Sequence, residues 1–260
     1  MLIGILVLYS VQDVGARRPM AVKVGKGDTR VTCLEGTAQV LARGETAWSP
    51  LQLNDSLYDG DTIKTGAESR MEIMLPDSSR LRFADMSHFR IVQIEVCKDS
   101  QSRNVRVNLV LGKTWANVSK TLGVKSNFEL SSENAVAGVR GTVYRMNVYD
   151  DQSALVRVYD GEVAVSGGVA EAEAEVGKSV PMYTTPHKVE GPTPVPGPRK
   201  VTMEEWTYII RSMQQIRIGA DGVAQAPRGF TEEEDRSDWV DWNKKLDVSL
   251  DSTSEAERQS

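Results

Sequence analysis

The chain has 260 residues and a formal net charge of −5, with a pI near 5.3. That length suits one or two domains with ample chain for a buried core, and 40% hydrophobic with 26% charged content is ordinary for a globular protein. The acidic balance argues against a nucleic-acid partner; two cysteines and two histidines, with no HxH, HExxH or CxxC, point to no metal and no other cofactor.

Taken in order, Leu2 to Tyr9 form an apolar run too short to span a bilayer, which needs about 20 residues. It has the length of a signal-peptide core, and Val14-Gly15-Ala16 has cleavage-site spacing, but no basic residue precedes Leu2. Residues 1–16 are thus read as a signal-like or anchor segment, with an ordinary first strand as the remaining alternative. Residues 17–30 are basic and glycine-rich and read as a tether.

From Val31 to about residue 185 the pattern predicts one β domain of many short strands: 31–34, 37–42, 63–65, 70–75, 80–83, 89–96, 105–111, 114–118, 126–130, 142–149, 154–159 and 162–165. Turn residues separate them, among them Asp59-Gly60-Asp61, Asp77-Ser78-Ser79 and Asp150-Asp151. A sandwich, a roll and a solenoid-like stack all fit this spacing. The form V-x4-G-x3-V occurs around Gly36 and Gly161, and around Gly112 with alanine at its end. The unequal intervals rule out a regular array, so the glycine is read as a recurrent corner. Trp48 and Trp115 are read as core anchors, with stacking on a sugar ligand as the alternative. Arg70, Arg80, Arg82 and Arg90 are read as a solvated face, with a local anionic-ligand patch as the alternative and Arg80 and Arg82 on one side of a strand. Cys33 and Cys97 are either free thiols in strands or, in an exported chain, a candidate disulfide.

Residues 186–200 hold five of the ten prolines and predict an extended linker. Two amphipathic helices are predicted across residues 201–248 as a docking segment. The first opens on the capping pair Thr202 and Glu205, with Trp206, Ile209, Ile210, Met213 and Ile216 on one face; the second opens on Thr231 and Glu234, with Trp239, Trp242 and Leu246 on one side. The surface they cover is the β domain itself, a partner protein or a membrane interface. Residues 249–260 are polar and predicted to be disordered.

The segment Val136-Ala137-Gly138-Val139-Arg140-Gly141-Thr142 resembles the signature of the FecR domain family, and Tyr159-Asp160-Gly161-Glu162-Val163 resembles the turn that follows it. Gly60-Asp61-Thr62-Ile63-Lys64-Thr65-Gly66 is a further match. The family's acid-glycine-serine turn corresponds to Leu75-Pro76-Asp77-Ser78-Ser79, with serine in place of glycine. The resemblance covers roughly residues 31–180, with Gly138, Arg140, Gly141, Thr142 and Gly161 as its signature positions. It implies a mainly β, exported or periplasmic domain in signalling, here read without the family's N-terminal anti-sigma part. The W-x-x-W-N of residues 239–243 is similar to helices after FecR domains in some exported proteins.

No nucleophile, base and orienting group occur in a catalytic pattern, so no enzyme is expected. The carboxylate pairs Asp59/Asp61 and Asp150/Asp151 lie in turns, where aspartate serves the backbone. The function expected first is a non-enzymatic cell-envelope scaffold that binds a protein partner or envelope glycan, with possible docking through Trp206, Ile209, Ile210, Met213, Trp239 and Trp242. The second is a periplasmic regulator that relays a signal to a separate membrane or anti-sigma partner, with membrane association through the N-terminus.

Overall fold

The computed structural model describes residues 29–97, 102–120, 126–139, 141–167 and 206–259, the last ten of these through their backbone alone. In chain order the strands are β1 (Thr29–Glu35), β2 (Ala38–Leu41), β3 (Ser49–Pro50), β4 (Ser56–Leu57), β5 (Thr62–Thr65), β6 (Arg70–Met74), β7 (Arg80–Phe83), β8 (His88–Cys97) and β9 (Ser102–Asn117). They continue with β10 (Ser126–Ser131), β11 (Ala135–Val139), β12 (Val143–Val148), β13 (Ala154–Asp160), β14 (Glu162–Gly167), β15 (Thr207–Arg211), β16 (Gln214–Ile218) and β17 (Arg228–Gly229). Helices α1 (Glu232–Asp235) and α2 (Asp238–Gln259) follow.

The strands form two layers joined by β9. Up to Leu111, β9 pairs with β8 and, in parallel, with β10; from Gly112 it pairs with β7 and β12. The first layer runs β4-β1-β6-β7-β9-β12-β13-β16-β17. The second runs β3-β2-β5-β8-β9-β10-β11-β14-β15. Period-two alternation sends Ile73, Leu81, Phe83, Met146 and Val156 inward from the first layer and Ile63, Phe89, Val107, Phe128 and Val163 from the second, into one core. Phe83 stacks on Phe89 across the layers, ring centroids 3.5 Å apart.

The recurrent glycine is the place where the chain changes layers. Gly36 lies between β1 and β2, Gly161 between β13 and β14, and Gly112 where β9 crosses over, all with positive φ. At Gly112 (φ 104°) an added Cβ would come within 2.4 Å of Ser87 Oγ and 2.6 Å of its Cα, so the corner needs both the left-handed backbone and the missing side chain. The two runs expected at 105–111 and 114–118 are therefore one bent strand. In the β6–β7 turn, Ser78 occupies φ 67° where the family pattern has glycine.

Three expectations need correction. Trp206 to Ile216 do not form a helix: β15 and β16 are a hairpin, with Met213 at its turn (φ 61°). The open edges of β14 and β13 take up these strands as neighbours, which a periodicity count over a short apolar run does not register. Both C-terminal helices instead come from the second predicted segment, where Thr231 and Glu234 form the full capping box. Residues 249–259 continue α2 rather than forming a disordered tail, as no glycine or proline interrupts them. The expectations for residues 1–28 and 186–200, and for the cap at Thr202 and Glu205, lie outside the described residues.

Candidate interaction site

The register of the first layer aligns one row of side chains across its outer face. Glu72 of β6 lies opposite Arg82 of β7, Arg82 opposite Trp115 of β9, Trp115 opposite Arg145 of β12, Arg145 opposite Arg157 of β13, and Arg157 opposite Gln215 of β16. In a two-layer β fold such a face commonly meets water. Here α1 and α2 cover it, leaving Arg82 0% and Trp115 1% exposed.

Carboxylates from both sides neutralise the arginines. Glu72 accepts from Thr32 Oγ1 (2.6 Å), Arg80 (2.7 Å) and Arg82 Nε (2.7 Å). Asp247 of α2 accepts from Arg82 (2.7 Å), Trp115 Nε1 (2.9 Å) and Asn117 Nδ2 (3.0 Å). Asp235 of α1, with its side chain 1% exposed, accepts from Arg145, Arg157 and the Tyr159 hydroxyl. Asn243, fully buried, accepts from Arg82 through its backbone carbonyl at 3.2 Å and donates to the Trp239 carbonyl at 2.7 Å. At the rim Arg70 pairs with Asp238, and Trp242 Nε1 donates to Glu35 at 3.1 Å.

Aromatic rings fill the space between these charges. Trp115 stacks on Tyr159 at 4.3 Å, Phe230 meets Tyr159 edge-on at 5.7 Å, and Trp239 stacks on Trp242 at 5.4 Å. Burial and the Asp235 carboxylate push the Tyr159 hydroxyl up, against the pull of Arg145 and Arg157, so it stays protonated and donates. For Glu72, burial pushes the carboxyl up, but the hydrogen bonds from Thr32 and Arg82 and the charges of Arg82 and Arg80 outweigh it and hold the group below its ordinary range.

Of the residues singled out from the sequence, Trp239 and Trp242 belong to this cover. Arg70, Arg80 and Arg82 do too, as ion-pair partners rather than a solvated face; Arg90 lies exposed on the opposite layer. Trp206, Ile209, Ile210 and Met213 lie apart from it. Ile210 is fully buried in the core, Ile209 is half exposed, and Trp206 donates to the Gly222 carbonyl at 3.3 Å. Trp115 is buried as expected, whereas Trp48 is half-buried against His88, with Lys64 over its ring. Cys33 and Cys97 are free thiols, on β1 of the first layer and β8 of the second.

Three of the signature positions, Gly141, Thr142 and Gly161, meet at one corner of the backbone. Gly141 (φ 61°) brings its backbone against Lys120, and Thr142 donates to the Glu162 carbonyl at 3.0 Å, beside the Gly161 corner. Gly138 sits within β11, where an added Cβ would meet nothing closer than 4.0 Å. Arg140 lies outside the described residues. Three aspartates of the two pairs brace backbone: Asp59 accepts from Ile94 N (2.8 Å), Asp61 from Arg43 N (3.2 Å) and Tyr58 N (3.1 Å), and Asp151 from Ser153 N (3.0 Å).

Glu72, Arg145, Arg157, Asp235 and Asp247 carry the site without having been singled out from the sequence, and Tyr159 and Asn243 stood there only as members of longer motifs. One signal was available: Trp239, Asn243 and Asp247 recur at i, i+4 and i+8, a stripe down one side of a helix.

Residues 61–164 match the sequence model of the family described as FecR protein. None of the curated proteins compared matches the chain. Two crystal structures from Parabacteroides distasonis ATCC 8503, each described provisionally as an anti-sigma factor, align over 65% of this chain at 15% identity with a TM-score of 0.42. The alignment spans 59% of the length of each of those chains.

Proposed function

This chain carries a FecR domain at residues 61–164, and from that premise we propose that it is a non-enzymatic signal-transducing module of the cell envelope, exported and acting by contact with a protein partner. The observation that carries this reading is the composition of its best-built surface. The charged and aromatic groups of the first layer are engaged by the chain's own helical segment, with Arg82, Trp115, Arg145 and Arg157 each bound to a carboxylate of α1 or α2. Such a surface recognises a polypeptide by charge and register rather than by turning over a substrate. Of the aspartates that would have suited acid–base chemistry, Asp59, Asp61 and Asp151 are bonded to backbone amides.

The test compares transcripts in cells with and without the gene while fractionation follows the protein. The expected result is an envelope-associated protein whose loss changes transcription of a transport operon. Unchanged transcripts under inducing conditions would overturn the regulatory reading, and a cytosolic protein would overturn export.

A further inference from the structure

The ion-paired row beneath α1 and α2 holds an acidic helical segment of the same chain, which does not satisfy its donors completely. With the cover in place, Arg82 Nη2, Arg145 Nε and Trp239 Nε1 are buried without a hydrogen-bond partner among the described residues. A buried donor left unmade carries its full desolvation cost with no bond to offset it. Much of the contact is between charges, and buried ion pairs give geometric specificity with little net stability, because desolvation offsets much of their attraction. The cover is joined to the body through β17, which is two residues long, and Phe230. The segment therefore fits in register, leaves donors open, and hangs from a short attachment.

We propose that this row is an exchangeable docking site: α1 and α2 occupy it in the free protein, and an acidic amphipathic helix of a partner protein replaces them. The chain's own cover describes that helix. It carries carboxylates placed as Asp235 and Asp247 are, one for Arg145, Arg157 and Tyr159 and one for Arg82, Trp115 and Asn117. Between them it carries a flat aromatic side chain like Trp239, seated beside Trp115 and Ala84. Further acceptors facing Arg82 and Arg145 satisfy the open donors. The inference deepens the protein-contact reading and rests on it, but its test uses no transcript.

The probe is a fluorescent peptide copying residues 230–249, added to the full chain and followed by anisotropy, with analytical ultracentrifugation in parallel. In the full-length variant carrying Asp235→Asn and Asp247→Asn the resident cover is weakened. That variant is expected to bind the peptide at least about tenfold more tightly than the unaltered chain, since displacing the cover reduces apparent affinity by the fraction of open sites. A peptide with both aspartates replaced by asparagine is expected to lose the binding. Hydrogen exchange on the unaltered chain at saturating peptide is expected to deprotect α2 amides while β9 and β12 stay protected, a measurement that needs no variant to fold. The proposal is overturned by equal binding of the two chains, or by equal binding of a scrambled peptide of the same charge, which would mark a general polyanion surface. It is also overturned if the weakened variant associates into dimers that exclude the peptide, which would make a second copy the occupant.

Discussion

Glu72 holds Arg80 and Arg82 together on the outer face of the first layer, and its carboxylate and that of Asp247 are the counter-charges that let Arg82 sit at 0% exposure. Its folded-state carboxyl is held below the ordinary value of 4.5. The stabilisation it contributes is therefore fully present above that value and is lost as pH falls through the folded one. Glu72→Gln is expected to flatten the acid side of the stability curve and to lower stability near neutrality by about 1–3 kcal/mol, the cost of weakening hydrogen bonds to buried groups while Asp247 still neutralises Arg82. Denaturant midpoints from neutral pH down through the carboxylate range check both effects. An unchanged acid slope would mean that other carboxylates govern acid unfolding. The same residue scale shows why charge was misread from sequence. Arg80 and Arg82 share a strand face, which is legible, but whether that face meets water or a helix is decided far along the chain, by Asn243 and Asp247.

At the scale of elements, the glycine corners were legible and the covering helix in part. Gly36, Gly112 and Gly161 recur in a common frame because each must turn the chain from one layer to the other with φ positive. Gly112→Ala should cost at least about 2 kcal/mol, combining left-handed strain with the collision against Ser87. Thermal melts compared with Gly44→Ala would show it, because Gly44 has open space around it although its φ is also positive (84°). Equal melting temperatures would remove the steric part of the explanation. The hairpin of β15 and β16 went unread because Trp206, Ile209, Ile210, Met213 and Ile216 fit a helical face as a pattern, while the neighbouring strands β14 and β13 needed partners. The capping box at Thr231 and Glu234 was legible because its donors and acceptors lie three residues apart.

For the whole molecule, the family match and the folding unit have different limits. Residues 61–164 exclude β1 and β2, which pair with β6 and β5, and β15 and β16, which pair with β14 and β13. Cutting at those limits opens both ends of both layers and bares Met71, Ile73, Val156 and Val158, all fully buried in the intact chain. A fragment of residues 61–164 is therefore expected to show no cooperative unfolding transition, in contrast to residues 29–260, as followed by circular dichroism on heating. A cooperative melt of the fragment would show that the flanking strands are accessory.

The sequence by itself determined the β class, most of the strands, the corners between them and the family whose model residues 61–164 match. Those features depend on neighbours along the chain: alternation every second residue, a glycine where φ must be positive, a cap three residues from its partner. Only the tertiary structure decided which face of the first layer is covered and by what. The row from Glu72 to Arg157 exists because the register sets five strands side by side, and its neutralising partners, Asp235 and Asp247, lie on helices remote in sequence. Burying those arginines is tolerable only when carboxylates meet them in space, and local periodicity carries no record of that meeting.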